Sequence, residues 1–256
     1  MCLILFAVDA HPRYSLVLAA NRDEFYERPT AAAHWWENAP DLLAGRDLRG
    51  GGSWMGVTRG GRWAAVTNYR DLPSVRADAP SRGALVSDYL RGDLPPEQYL
   101  RALERRAGDY NGFNLLVGDS GGVWWLSNHA VGPIRVEPGI HGLSNHLLDT
   151  PWPKVERGTQ QLRTALAEAE PDTDGFLGLL LDRTLAADHN LPDTGVGRDL
   201  ERALSAAFIL TPDYGTRSST ALLMDVDGGV VLRERTFRPG TLDFIESRFR
   251  FTTRQS

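Results

Sequence analysis

Cys2 is the only cysteine of this 256-residue chain, and it follows the initiator Met1 directly. Removal of the methionine would leave one residue that carries both a thiol and a free α-amine. The amine titrates at about 7.7–8.0 and the thiol at about 8.5, so the amine can accept the thiol proton near neutral pH. Cys2 is therefore a candidate nucleophile with its own base. Because free cysteine is often buried, simple packing in a first strand is the alternative.

Two short apolar runs, over residues 2–8 and 14–20, are typical of paired β-strands joined by a turn that contains Pro12. If the runs pair so that opposed residue numbers sum to about 23, Cys2 lies across from Asn21. We therefore expect the residues that follow Asn21 to lie near the N-terminus.

Those residues are Arg22, Asp23 and Glu24. A neighbouring arginine favours a thiolate over a thiol, and a carboxylate can orient an α-amine by accepting its hydrogen bond. The cluster therefore suits activation of Cys2. A solvated turn in which the arginine and a carboxylate form a weak exposed pair is the other interpretation.

The segment from Asn21 to Glu24, about twenty residues after Met1 and Cys2, resembles the signature of the NRDE family, which includes the transport and Golgi organisation proteins. Further blocks resemble that family in the same order, and together they cover nearly the whole chain: residues 45–47, 50–57, 67–70, 142–145 and 214–220. The family is similar in turn to the N-terminal nucleophile hydrolases, especially the branch of penicillin V acylase and bile salt hydrolase.

This resemblance implies an α+β fold, a four-layer αββα sandwich of antiparallel sheets. It implies that Asn68 and Asn145 stabilise an oxyanion, and that Arg217 binds an acidic group of the substrate or braces the thiolate. The implied catalytic set is Cys2, Arg22, Asp23, Asn68, Asn145 and Arg217. The implied ligand-binding set is Asn21, Glu24, Gly51, Gly52, Trp54 and Tyr69.

Three consecutive glycines, residues 50–52, precede a predicted hairpin over residues 53–58 and 62–68. Residue numbers summing to about 120 across its glycine turn place Asn68 opposite Gly52. Glycine allows a backbone to approach a ligand closely, and its amides can bind an anion or a carbonyl oxygen. A mobile loop without a ligand is the alternative.

The remaining pattern predicts helices between two sets of hairpins. Trp124 and Trp125 are adjacent in a strand and must face opposite sides, whereas Trp35 and Trp36 lie in a less regular region that could border a pocket. Predicted helices span residues 81–90, 96–106, 153–170 and 174–187, a loop spans 188–198, and later strands span 112–117, 123–127, 208–210, 221–226 and 230–235.

Composition restricts the class of protein. The formal net charge of −5 and pI of about 5.7 argue against a dedicated nucleic-acid binder. A single cysteine excludes an internal disulfide framework, and no cysteine or histidine spacing predicts a metal site. The N-terminal apolar run is too short to be a transmembrane segment and lacks a basic leader, so we expect one cytoplasmic domain over residues 1–256.

These features favour a cysteine N-terminal nucleophile amidohydrolase acting on a linear amide or acyl compound. No cofactor is required by that chemistry. The competing function, suggested by the family's association with haem and with lipid or acyl-CoA handling, is a carrier that binds such a ligand without turnover. The sequence leaves the substrate and the oligomeric state open.

Overall fold

A computed structural model describes residues 3–168 and 170–254, and its strands form two antiparallel sheets. The six strands of the first sheet are β1 (Leu3–Val8), β2 (Tyr14–Phe25), β10 (Gly139–Leu143), β11 (Tyr214–Asp225), β12 (Gly229–Phe237) and β13 (Phe244–Thr252). Their spatial order is β10-β1-β2-β11-β12-β13. The long strands β2 and β11 therefore lie together at the centre of this sheet.

The second sheet has seven strands and keeps the order of the chain. They are β3 (Thr30–Trp36), β4 (Ala39–Asp47), β5 (Met55–Thr58), β6 (Trp63–Asn68), β7 (Phe113–Asp119), β8 (Gly122–Ser127) and β9 (Ile134–Arg135). In the hairpin of β5 and β6, Met55 pairs with Ala65 and Val57 with Trp63, so opposed numbers sum to 120 as predicted.

Within the described residues, five α-helices cover the outer faces of the sheets or lie beside them: α1 (Gly83–Arg91), α2 (Pro96–Glu104), α3 (Pro153–Leu166), α4 (Thr173–Leu179) and α5 (Arg198–Ala203). Proline begins α2 and α3, where its fixed φ suits a first helical residue. Asp172 caps α4 by accepting a hydrogen bond from the Gly175 amide.

Within the described residues, three hydrophobic clusters fill the spaces between the layers. The largest lies between the two sheets, the second between the second sheet and helices α1 and α2, and the third between the first sheet and helices α3 and α4. The predicted αββα sandwich is confirmed. Trp125 belongs to the cluster between the sheets and Trp124 packs against the cluster under α1 and α2, so the two rings face opposite sides as expected.

The register of the first hairpin differs from the prediction by one residue. Leu3 pairs with Asn21 and Ile4 with Ala20, so the numbers sum to 24 rather than 23. Asp9 leaves the strand with a left-handed φ of 45° and donates its amide to the Ser15 carbonyl, which widens the turn. Cys2 itself lies outside the described residues.

Several predicted elements are wrong in extent. Trp35 and Trp36 lie within β3 rather than in an irregular region, and the Trp36 ring is fully buried. Residues 208–210 form no strand, only an isolated bridge between Leu210 and Gly215. Helix α4 ends at Leu179, eight residues before its predicted end at Ala187, and α5 was not predicted. None of the helices in the described ranges is long and apolar enough to cross a membrane.

Candidate functional site

Asn21 lies near the end of β2, fully buried on the side that faces the helices. Its Nδ2 donates to the carbonyl oxygens of Leu180 and Ala207, each at 2.8 Å. Its Oδ1 accepts a hydrogen bond from Ser219 Oγ at 2.5 Å. Both amide hydrogens are therefore engaged within the protein, which leaves no donor for a ligand.

Arg22, the next residue, is buried beside a polar cleft. Its guanidinium lies 4.4 Å from the centre of the Trp54 ring, and its Nη2 is 3.8 Å from Glu24 Oε2. Among the described residues, Arg22 Nη1 has no hydrogen-bond partner. Burial lowers the pKa of Arg22, although a guanidinium stays charged in proteins. The geometry thus presents a desolvated cation with one nitrogen still able to donate.

Asp23 links the end of β2 to β11. Its Oδ1 accepts a hydrogen bond of 2.6 Å from Thr216 Oγ1, and the same hydroxyl oxygen accepts the Ile209 amide at 2.9 Å. Because this chain of bonds is buried, it fixes the strand end against the segment that precedes β11.

Arg217 occupies a β-bulge. Thr216 pairs with Asp23 and Ser218 with Arg22, so Arg217 is the extra residue between two regular pairs. Its Nη1 donates to three carbonyl oxygens at the end of β2 and just after it, those of Phe25, Tyr26 and Arg28, at 3.0–3.1 Å. Burial lowers the pKa of Arg217. In this geometry Arg217 braces the loop that follows the Asn21 to Glu24 segment.

Glu24 belongs to a small ion-pair network at the mouth of the cleft. Its Oε2 lies 3.7 Å from Arg28 Nε, and Arg28 Nη2 donates to Asp47 Oδ2 at 2.7 Å. Burial alone would raise the pKa of Asp47, but hydrogen bonds from Arg28 and from the backbone outweigh that effect, and the pKa lies below its ordinary value. Asp47 is therefore held as a carboxylate.

The triple-glycine segment serves this network rather than the cleft. The Gly50 amide donates to Asp47 Oδ1 at 3.1 Å and the Gly51 amide to the Asp47 carbonyl at 2.7 Å. Gly51 has a φ of 75°, and a Cβ on Gly52 would lie 2.3 Å from the Gly83 backbone. Neither Gly51 nor Gly52 lines the cleft.

The cleft has a volume of about 450 Å³, and its lining has more basic than acidic side chains. Besides Asp23, Glu24 and Asp47, its walls contain five arginines: Arg22, Arg28, Arg49, Arg76 and Arg82. Such an excess of cations raises the local concentration of anionic ligands. Of these five arginines only Arg22 belongs to a motif that predicts a site, and the other four lie in loops outside recognisable motifs.

A second depression of about 430 Å³ adjoins the cleft and shares Asn68 and Arg82 with it. This apolar groove contains large hydrophobic side chains that are between 43% and 58% exposed, those of Phe25, Leu72, Val75 and Leu200. Exposed apolar side chains gathered in one groove are typical of a binding surface.

Asn68 and Asn145 meet where the cleft joins the groove. Asn145 is buried, and its Nδ2 donates to the Asn68 carbonyl at 3.0 Å. The Asn68 side chain is exposed and makes no hydrogen bond within the part of the chain that the structure describes. Tyr69 lines the groove with its ring stacked 3.9 Å from that of His129, and burial raises its pKa.

The two asparagines thus place one fixed amide and one available amide where the cleft joins the groove. Cys2, the predicted nucleophile, lies outside the described residues. No group of three or more carboxylates and histidines within residues 3–168 and 170–254 is arranged to hold a metal ion.

The family model described as Transport and Golgi organisation 2 matches residues 1–239 of this chain. The chain belongs to that family. It is 36% identical to the human protein named Transport and Golgi organization protein 2 homolog, covering 98% of this chain and 99% of that protein. It is 30% identical to the Drosophila melanogaster Transport and Golgi organization protein 2, with 92% of each covered.

Two solved structures are similar in backbone to this Transport and Golgi organisation 2 family member. The Caenorhabditis elegans ortholog of N-acylethanolamine-hydrolyzing acid amidase matches with a TM-score of 0.54 at 10% identity, over 87% of this chain and 92% of that one. A conjugated bile acid hydrolase from Clostridium perfringens matches at 9% identity with a TM-score of 0.48. The first likeness shows that this chain shares the fold of the acid amidase.

Proposed function

We propose that this chain is a cysteine N-terminal nucleophile amidohydrolase that acts on a linear amide or a related acyl compound. The observation that carries the proposal is the environment of Arg22. Its buried guanidinium has an unpaired nitrogen among the described residues, and it lies at the strand end beside which β1 begins, at Leu3, directly after Cys2 in the chain.

In the proposed reaction, the α-amine of Cys2 accepts the thiol proton and the sulfur attacks the substrate carbonyl. Amides of Asn68 and Asn145 donate to the oxyanion as it forms. Collapse of the tetrahedral species breaks the C–N bond, and the leaving amine takes the proton from the α-ammonium. Water then attacks the thioester, which releases the acid and restores the thiol.

Arg22 and Asp23 have separate parts in this proposal. A desolvated guanidinium close to a thiol lowers the thiol pKa, because the thiolate is stabilised by the opposite charge. Asp23 holds the strand end through Thr216 and so fixes the distance between β2 and the segment before β11. Arg22 would thus lower the pKa of the Cys2 thiol, and Asp23 would hold β2 in position against β11.

The shape of the site supports a linear substrate. The basic cleft and the apolar groove meet at Asn68, so an amide bond placed there would have a polar and an apolar channel on its two sides. The hydrolase whose fold this chain shares is named for N-acylethanolamines, which are linear acyl amides. That agreement favours an acyl amide as substrate over a compact ring system.

The test compares the native protein with Cys2→Ser and Cys2→Ala, using long-chain acyl amides, an acyl-CoA and haem as probes. We expect an intact mass that lacks Met1, product from an amide, a covalent acyl adduct on residue 2, and loss of turnover in both variants with binding retained. Tight binding of haem or acyl-CoA with no product from any amide, unaffected by Cys2→Ser, would establish the carrier function instead. A matched control is Ser218→Ala, which keeps Cys2 and removes a hydroxyl of β11, the strand on the far side of β2 from β1.

A further inference from the structure

Glu201 of helix α5 is a buried carboxylate with several strong partners. Its side chain is 4% exposed, and its Oε2 accepts a hydrogen bond from Arg70 Nη1 at 2.7 Å. Its Oε1 accepts the Thr194 amide at 2.9 Å and the Thr194 hydroxyl at 2.5 Å. Such a pair is expensive to break, because removal of one partner leaves a buried charge uncompensated.

Arg70 connects that carboxylate to Asn145. Arg70 Nη2 lies 3.4 Å from Asn145 Oδ1, and the Arg70 amide donates to the Asn145 carbonyl at 2.8 Å. Arg70 also stacks 5.1 Å from the centre of the Trp152 ring. Because the amide oxygen of Asn145 faces Arg70, its nitrogen is turned toward Asn68. The Glu201–Arg70 pair therefore fixes which way the Asn145 amide points.

Helix α5 also forms a wall of the apolar groove. Leu200, next to Glu201 in the chain, lines the groove, and so does Val196 in the segment before the helix. Gly195 and Gly197 flank Val196 with φ of 81° and 85°, which gives this wall a backbone able to change direction. An apolar chain in the groove would contact the same short helix that carries Glu201.

We propose that Arg70 and Glu201 are positioning residues that couple occupancy of the apolar groove to the orientation of the Asn145 amide. An apolar chain packed on Leu200 and Val196 holds α5 in place, α5 holds Arg70 through Glu201, and Arg70 holds Asn145. Binding energy from the remote end of the substrate is thereby used at the reacting carbonyl. This coupling rests on the proposed function for its effect on turnover, but not for its effect on hydrogen exchange.

The kinetic test uses p-nitroanilides of acetate, octanoate and palmitate with Glu201→Gln and Arg70→Lys. In the native protein kcat should rise with chain length. In both variants kcat for the longest chain should fall roughly 10- to 100-fold with a smaller change in KM, because a misplaced donor costs rate more than affinity. Asp182→Asn is the control, since it removes the Arg157–Asp182 ion pair outside both depressions. An unchanged dependence of kcat on chain length in both variants would overturn the coupling.

The second test measures hydrogen exchange and needs no turnover. The Thr194 amide reports on Glu201 and the Arg70 amide on Asn145, since each donates to that residue. Octanoate or palmitate should slow exchange at both amides in the native protein and in Asp182→Asn. In Glu201→Gln and in Arg70→Lys, neither fatty acid should slow exchange at the Arg70 amide. Equal protection of the Arg70 amide in all four proteins, or no protection in the native protein, refutes the coupling even if the chain hydrolyses amides.

Discussion

Two neighbouring residues of β2, Asn21 and Arg22, occupy opposite environments. Asn21 faces the helical layer, where three hydrogen bonds satisfy its amide. Arg22 faces the basic cleft, where it rests on the Trp54 ring and keeps one nitrogen without a partner among the described residues. Side chains in a strand alternate between faces, so a single short segment serves both purposes. Asn21 holds the scaffold, whereas Arg22 supplies a charge at the site.

The largest expected effect tests the scaffold side. Asn21→Ala should lower the free energy of unfolding by about 3 kcal/mol or more, because it leaves two buried carbonyls and a buried hydroxyl without partners. Urea unfolding followed by tryptophan fluorescence measures this. Ser219→Ala, which removes one of the three bonds, should cost about 1 kcal/mol. A loss below 1 kcal/mol for Asn21→Ala would contradict a structural role for the Asn21 side chain.

The link between Asp23 and β11 should have the next largest effect. Thr216→Val keeps the shape of the side chain but removes the hydroxyl that donates to Asp23 and accepts the Ile209 amide. We expect the free energy of unfolding to fall by about 2 kcal/mol, and Thr216→Ser to restore most of it. Thermal or urea unfolding of the three proteins is the measurement. No difference between the valine and serine variants would show that the hydroxyl is unimportant.

The cleft side is tested through reactivity rather than stability. Arg22→Met keeps the apolar stem over Trp54 and removes the charge, so alkylation of Cys2 near neutral pH should slow about 10-fold, the effect of one pKa unit. Because Cys2 is the only cysteine, total labelling by iodoacetamide reports on that thiol alone. Arg157→Met serves as the control. Identical alkylation rates across pH for the native protein and Arg22→Met would show that Arg22 does not change the pKa of the thiol.

The smallest expected effect is on the dependence of stability on pH. The folded-state pKa of Asp47 lies below its ordinary 3.8, so its pair with Arg28 contributes stability above that pH, and the contribution is lost as pH falls through the folded pKa. We expect Asp47→Asn to lower stability at pH 6 by about 1 kcal/mol and to differ little from the native protein at pH 2. Unfolding curves at both pH values check this. An equal loss of unfolding free energy at pH 6 and pH 2 would show that the substitution acts through packing and not through the charge of Asp47.

The sequence predicted the parts of the fold that depend on local patterns. Glycine turns set the hairpin at residues 55–68, and alternation placed Trp124 and Trp125 on opposite faces. The first hairpin was predicted one residue out of register because the left-handed backbone at Asp9 cannot be read from its residue type. Strand β13 was not recognised, since arginines and a glutamate interrupt its apolar positions.

The candidate site was less accessible to sequence reasoning than the fold. The motif identified Arg22, and the resemblance identified Asn68 and Asn145, which the structure brings to one place. Arg70 stood within a recognised block, yet its pairing with Glu201 spans 131 residues of chain and follows no spacing rule. A contact of that kind depends on where the fold places α5 relative to the segment after β6, which carries Arg70.

The extra residue at Arg217 constrains how the site can vary in evolution. Thr216 and Ser219 are three positions apart and would face opposite sides of a regular strand, but the bulge lets their hydroxyls meet Asp23 and Asn21 on the same side. Removing one residue there would turn one hydroxyl away from its buried partner, whereas replacing the Arg217 side chain would leave both hydroxyls in place. Relatives that keep this architecture should therefore preserve the number of residues between positions 216 and 219 more strictly than the identity of the residue at position 217.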